Sequence, residues 1–510
     1  MPSTPRFATA LVLAVTYPQA GNLGGGGFML ISMADGRRVA IDYREMAPAR
    51  AQPNMFLNDQ GLVDAEVSRL GYRAAGIPGT PAGLDLAHRM FGGLPREVVA
   101  EPAIRLARDG FVVSDELARS LAANAKELAR FPASAAIFLH QDGAPYRAGE
   151  VLRQPDLAAS LEAFARDGAR PFYEGTVAEQ LVAAMSSEGG LWSRDDLARY
   201  QALRREPLVV RYREHELLLM PPPSSGGIAL GQILAMLEPF QLREWGGRTD
   251  PAVLHLLAEA MRRAFADRAS YVGDPDFVPV PARWLLSPEH IQELRASIAP
   301  EHASDSKALG PPLSGAAEPT HTTHFSVVDA QRNVVSNTYT LEEWFGCKAV
   351  VPGTGILLNN ELHDFNMRPG VTDRDGAIGT AANQIAPFKR PLSSMTPVIA
   401  LRAGKPRLVT GSPGGRTIIN TVAAVVLGVL EFGLEPRAAV DAPRLHQQWF
   451  PDRIQVEATM PAAVIDALRQ RGHAVEIIER LGDAHTIVID DDGQCHAAAD
   501  ARIAGWAAGY

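Results

Sequence analysis

Residues 298–320 read IAPEHASDSKALGPPLSGAAEPT, a stretch of Ala, Ser, Pro and Gly with no apolar period. Such a segment buries no face of its own and is expected to be an exposed linker. It divides two kinds of pattern. Before it, from about 85 to 270, the helical period dominates, as in PDLAASLEAFARDG (155–168) and TVAEQLVAAMSSEGG (176–190). After it the chain turns strongly β: HFSVV, a turn at DAQRN and VVSNTYTL form a hairpin pattern, and strand and helix then alternate to a last hairpin, HTIVIDDDGQCHAAA. A chain of 510 residues would make about three domains at about 150 residues each, but one large layered fold can absorb it.

Local signals place further elements. FATALVLAV (7–15) is followed by TYPQAGN and then by GNLGGGGFMLIS (21–32). With no small-residue cleavage signal, the run reads as a core helix feeding a glycine-rich loop, not as a signal peptide. The glycine spacing fits neither GxGxxG nor GxxxxGK, so a nucleotide site is poorly supported. Strands are expected at Phe28–Ser32 and Val39–Tyr43. Ser193 with Asp196, and Asp250 before Pro251, mark helix starts, the second helix carrying Leu254, Leu257, Met261 and Phe265 on one face. MPPPSSGG (220–227) reads as a rigid turn, and GSPGG (411–415) joins a strand, LVTG, to an apolar helix expected over Thr417–Leu430.

Charge and cysteine content exclude several classes. With 49 Lys+Arg against 58 Asp+Glu the net charge is −9, without the basic runs that track a phosphate backbone, so nucleic acid is not an expected partner. Cys347 and Cys495 give neither a disulfide framework nor a CxxC motif, although one long-range disulfide is possible. No apolar stretch approaches the roughly 18 residues that span a bilayer.

Where the linker meets the strand, the chain reads His321-Thr322-Thr323-His324. HxxH without HExxH or cysteine ligands is a weak metal motif, and no metal or organic cofactor is expected. The alternative is a cut that makes Thr322 a new N-terminus. A free α-amine, with a pKa near 8, can take the proton of its own threonine hydroxyl, so that one residue supplies nucleophile and base. Donors for an oxyanion could come from Gly414 and Gly415 at a helix N-terminus, and a plain strand-to-helix turn is the other reading. Polar side chains beside apolar strands, Arg44 in DYREMAP, Glu361 and Asp364 in NNELHDF, Ser393 and Ser394 in PLSSM, would suit the carboxylate and ammonium of an amino-acid head group.

Together with AVTYPQAGNLGGGGFMLI, GIPGTPAGL, YVGDPDF, KRPLSSMTP and DAPRLHQQW, these runs resemble the γ-glutamyltranspeptidase family in the family's order and over essentially the whole chain. The resemblance implies an α+β fold of the N-terminal nucleophile hydrolase type, a four-layer αββα sandwich, made as a proenzyme that cuts itself between His321 and Thr322. The products would be a large subunit, 1–321, ending in the linker, and a small catalytic subunit, 322–510, which stay associated.

It further implies Thr322 as nucleophile, Thr340 beside its amine, Gly414 and Gly415 as oxyanion hole, Arg44, Ser393 and Ser394 at the substrate α-carboxylate, and Glu361 and Asp364 at the α-amine. The substrate would be a γ-glutamyl compound such as glutathione, and the acceptor water, an amino acid or a dipeptide. Two departures qualify this. Glu342 stands where the family commonly has Asn, which adds a negative charge at the substrate site. Asp375, in PGVTDRDGAIG, stands where some bacterial members have a lid tyrosine, so hydrolysis is expected over transpeptidation. A glutaryl acylase of the same family and an unprocessed binding protein are the alternatives. The family is exported to the periplasm or beyond, whereas the chain begins inside the helix near Phe7 with no export signal, so a truncated start is expected and the location stays open.

Overall fold

Helix α1 (Pro5–Thr16) buries Phe7, Ala10, Leu11, Ala14 and Val15, so FATALVLAV is a core helix, and it leads straight into the glycine loop. The computed structural model describes residues 5–310, 322–373, 378–503 and 505–509. It is a mixed helix and sheet fold.

Two antiparallel sheets organise it. The first contains β1 (Gly26–Ser32), β2 (Arg38–Tyr43), β3 (Leu203–Arg205), and the hairpin predicted after the linker, here β6 (Thr323–Val328) and β7 (Val334–Thr340). Its order is β3-β2-β1-β7-β6. The second contains β4 (Leu208–Tyr212), β5 (His215–Leu219), β8 (Val398–Arg402), β9 (Lys405–Gly411) and the final hairpin, β10 (His485–Ile489) with β11 (Cys495–Ala499), in the order β11-β10-β9-β8-β5-β4. The strands β8, β9 and β10 pack on β6 and β7.

The central strand β1 is buried at every position, because its two faces enter different cores. Met29 and Ile31 pack with α1, α2 (Thr80–Phe91), α3 (Arg96–Asp109) and α4 (Pro155–Asp167). Phe28 and Leu30 join the second core, which holds the second sheet with α5 (Gly226–Leu237), α6 (Pro251–Tyr271) and α7 (Thr417–Val426). A strand covered on both sides loses polar alternation and reads as a continuous apolar run, as FMLI does.

Three expectations need correction. The helix α6, with Asp250 capping it through Ala252 N–H, is not amphipathic: it is buried all round, from Val253 to Ala269, including Glu259, Arg262, Arg263 and Arg268. The charges are tolerated because Glu259 pairs with both Arg262 and Arg263. The helix after GSPGG is α-helical only to Val426 and widens into a π-helical turn over Leu427–Glu431.

The linker is anchored where it is described. Residues 298–310 are mostly exposed, yet Ser306 is buried, its N–H donates to Asp452 Oδ2 (2.9 Å), and Trp449 Nε1 donates to the Ser306 and Leu309 carbonyls. Residues 311–321, including the His321 side of the expected cut, lie outside the described residues.

Candidate active site

The glycine cluster is a seam for close backbone approach. A Cβ at Gly24 would stand 2.0 Å from the Leu357 carbonyl oxygen, and one at Gly25 2.0 Å from that of Thr340. Asn22 closes the seam: its Nδ2 donates to the Thr340 carbonyl (2.8 Å), and its Oδ1 accepts from Gly25 N–H and from Thr80 Oγ1. Gly26 pairs with Thr340 at the end of β7. On the other side of β7, Thr323 pairs with Tyr339, so the antiparallel register continued by one residue sets Thr322 opposite Thr340.

Both threonines are buried and line one cleft. After Thr340 the chain turns sharply: Glu342 has φ +78°, and its N–H donates to Thr340 Oγ1 (2.8 Å).

Across the cleft β9 runs into GSPGG. Gly414 and Gly415 both have positive φ, +132° and +53°, and a Cβ at Gly414 would lie 2.5 Å from Thr417 Oγ1. The loop is held from behind: Ser412 Oγ accepts from Asp483 N–H (3.0 Å) and donates to the Pro413 carbonyl (2.7 Å). Gly415 lines the cleft one residue after Gly414, at the start of α7, where backbone N–H groups and the helix field favour an anion.

The third wall carries charge. Asn359 accepts from the N–H groups of Gly76 and Glu361 and donates to the Gly24 and Gly76 carbonyls, fixing the short turn Glu361–Asp364 against the glycine loop. Glu361 and Asp364 (2.5 Å) both bind Arg44, which is fully buried. All five Arg44 N–H groups are committed within the protein. Nε donates to the Pro391 carbonyl (3.2 Å), Nη1 to Glu361 and Glu45 (3.4 Å), and Nη2 to Asp364 and the Leu392 carbonyl (3.1 Å).

One cation thus faces three carboxylates, and proton affinities respond. Burial, reinforced by neighbouring carboxylates and opposed by Arg44, holds Glu361 well above the usual carboxylate range, and burial against the same cation lifts Glu45 to about 7. Glu342 is also raised, by burial first and then by Glu343 and Asp364. The Oε2 atoms of Glu342 and Glu361 are buried without a hydrogen-bond partner among the described residues.

Ser393 and Ser394 complete the wall. Ser393 Oγ accepts from Met395 N–H, and its carbonyl accepts from Ser225 N–H and Oγ, which ties the segment before β8 to the MPPPSSGG turn. Arg268 Nη2 donates to Ser394 Oγ (3.0 Å) and its Nε to Ser225 Oγ (2.8 Å).

Of the ten residues expected at the site, nine line this cleft and Gly414 adjoins it. Sequence reasoning passed over Glu45, adjacent to Arg44, Arg268, three residues before YVGDPDF, and Asn359 inside LLNNELHDF. Glu45 and Asn359 stood beside residues to which the role was assigned, and Arg268 stood outside the quoted motifs.

His324 turns into the protein. Its ring nitrogens meet Thr338 Oγ1 (2.7 Å) and Ser326 Oγ (3.0 Å), and burial keeps it far below the usual histidine range. Among the described residues no group of three or more His, Cys, Asp or Glu is placed to hold a metal ion, and no helix is long and apolar enough to cross a membrane. Cys347 is buried and Cys495 exposed, both as free thiols, so they do not form the long-range disulfide. Asp375 lies outside the described residues.

Residues 6–510 match the family model described as gamma-glutamyltranspeptidase. The chain is 44% identical to the glutathione hydrolase proenzyme of Escherichia coli (strain K12) over 97% of its own length and 85% of that protein's. It is 37% identical to the acylase ACY 1 proenzyme of Pseudomonas sp. (strain SE83), over 98% and 87%. Among solved structures, the cephalosporin acylase from Bacillus halodurans superposes with a TM-score of 0.85 at 27% identity, covering 99% of this chain and 91% of that one.

Proposed function

Because the chain belongs to the gamma-glutamyltranspeptidase family, we propose that it is a glutathione hydrolase-type enzyme, made as a single precursor, that cleaves γ-glutamyl amides through an acyl-enzyme on Thr322. The observation that carries this reading is the place of Thr322. It stands opposite Thr340, on the wall of the cleft that Gly415, Glu361 and Ser393 also line.

The precursor is cut between His321 and Thr322 into a large subunit, 1–321, and a small subunit, 322–510, which remain one αββα sandwich: the two sheets are the inner layers, with α1–α4 outside one and α5–α7 outside the other. The freed α-amine of Thr322 takes the hydroxyl proton as Oγ attacks the γ-amide carbonyl, and Thr340 steadies the amine. Gly414 and Gly415 receive the oxyanion. The amine product leaves with the transferred proton, and water then hydrolyses the γ-glutamyl ester, returning Thr322. Glu342, Glu361 and Asp364 face the α-ammonium. Ser393 and Ser394 lie at the α-carboxylate end with Arg44 behind the wall. Hydrolysis prevails over transfer to an amino acid or dipeptide.

A denaturing gel and a γ-glutamyl-p-nitroanilide assay test the reading together. The wild type is expected as two fragments with activity, and Thr322→Ala as one band near the 54.8 kDa of the intact chain without activity. Two fragments from Thr322→Ala would end the assignment. Transfer to glycylglycine outpacing hydrolysis at modest acceptor concentration would contradict the hydrolytic bias.

The acylase relatives support a second reading, a glutaryl-type amidase. The carboxylates at the amine end disfavour it, since glutaryl groups carry no ammonium.

A further inference from the structure

Residues 299–310 have no apolar period of their own, yet side chains from both sides of the expected cut hold them. The neutral ring of His255 donates from Nε2 to the Ala299 carbonyl (2.9 Å), which leaves its Nδ1 to accept from Nε2 of His473 (2.8 Å). Glu259 accepts from Ser304 N–H (3.2 Å) and Oγ (2.5 Å). Asp452 accepts from Ser306 N–H (2.9 Å), and Arg262 binds both Asp452 and Ser306 Oγ. Trp449 Nε1 donates to the Ser306 and Leu309 carbonyls (both 2.8 Å), and its ring closes on Gly310, where φ is +77° and a Cβ would stand 2.7 Å from Cζ2.

Holding a polar segment with buried charges adds little to stability, since packed apolar residues of similar volume often do as well or better. What the clasp fixes is position. Strand β6 sets Thr322 opposite Thr340, the clasp sets Gly310, and 321 − 310 = 11 residues join the two points.

Resting on the function proposed above, we propose that Trp449 and Asp452 are positioning residues for self-cleavage: by clasping residues 306–310 they set how the His321 carbonyl meets Thr322, and they take no part in turnover by the processed enzyme. In that cut Thr322 Oγ attacks the His321 carbonyl carbon, and the C–N bond breaks as the hydroxyl proton passes to the departing Thr322 nitrogen. Water then hydrolyses the resulting ester, which leaves a His321 carboxylate and restores the Thr322 hydroxyl. Without the clasp the chain between fixed points grows from 11 to 321 − 305 = 16 residues. Loop-closure entropy, which rises as three-halves of the logarithm of length, then slows the cut by about twofold.

Pulse-labelled wild type, Asp452→Ala, Gly310→Ala and Lys307→Ala, followed on denaturing gels, give the half-time of conversion to two fragments. Asp452→Ala removes the acceptor of Ser306 N–H. Gly310→Ala puts a methyl against the Trp449 ring from the linker itself, so it tests the clasp without altering either core. Both should lengthen the half-time by at least about twofold, while their fully processed forms keep the wild-type kcat and KM for γ-glutamyl-p-nitroanilide. Lys307, in the same turn, is exposed, and Lys307→Ala should be cut at the wild-type rate.

A wild-type half-time in Gly310→Ala or Asp452→Ala would overturn the inference, as would equal slowing in Lys307→Ala or a processed variant that has lost kcat. A wild-type chain that stays a single band fails differently: it removes the proposed function itself, and the inference with it.

Discussion

Replacing Arg44 and replacing Glu361 should have opposite consequences for stability, although the two side chains bind each other. Among the described residues Arg44 is the sole cation paired with Glu45, Glu361 and Asp364, two of them fully buried. Arg44→Gln strands these carboxylates, and breaking a buried pair from one side costs about 3–5 kcal/mol. An unfolding entropy of about 2.1 cal/mol/K per residue over 510 residues is about 1.1 kcal/mol/K, so the melting temperature should fall by about 3–5 °C.

Glu361→Gln removes one negative charge from a group with an excess of them. The folded state holds Glu361 well above its ordinary range. A carboxyl raised in this way stabilises the fold fully below its unfolded pKa and loses that contribution as pH rises through the folded pKa. The amide supplies the neutral shape at every pH. The variant should therefore melt within about 1 °C of the parent near pH 5 and above it near pH 9. Differential scanning calorimetry of both variants across that range, at one ionic strength, makes the comparison. A Glu361→Gln protein that melts several degrees low at every pH, as Arg44→Gln should, would refute the charge-excess reasoning and make the pair a net stabilising one.

The glycine seam and the thiols give two more expectations. Gly25→Ala drives a methyl against the Thr340 carbonyl at 2.0 Å, and both sides are backbone. It should cost about 1–3 kcal/mol or more in chemical denaturation, typical of overpacking, and should lower activity, whereas Gly36→Ala, which meets no atom within 4 Å but sits at φ +91°, should leave activity unchanged. Burial pushes the Cys347 thiol up to about 12, while Cys495 is exposed. A chromogenic disulfide reagent at pH 8 should count one thiol in the native protein and two after denaturation, and two rapidly reacting native thiols would show that the Cys347 pocket opens.

Local pattern carried much of this protein into view. Helix α1, the β1–β2 pair, the hairpin after the linker, the capping box at Ser193 and the loop at Gly414 and Gly415 each depend on residues a few positions apart, so periodicity and turn chemistry specify them. The register of β6 against β7 follows from the same hairpin and brings Thr322 to Thr340. What local pattern misjudged was environment. The helix α6 shows a one-sided apolar stripe, but the arginines on its other face are buried because Glu259 and the anchored linker meet them there, and no window along the helix contains the linker.

The chemistry of the site was divided the same way. The sequence determined which residue types were present and in what order, and that was enough to single out Thr322, the glycine pair and the serines as candidates, which the fold brings to one cleft or beside it. It could not determine what Arg44 faces. Arg44 and Glu361 are 317 positions apart, and only the fold brings Glu45, Glu361 and Asp364 around one guanidinium and shields them from water. Tertiary structure decided that balance because charge is felt through space and in proportion to desolvation, neither of which is written along the chain.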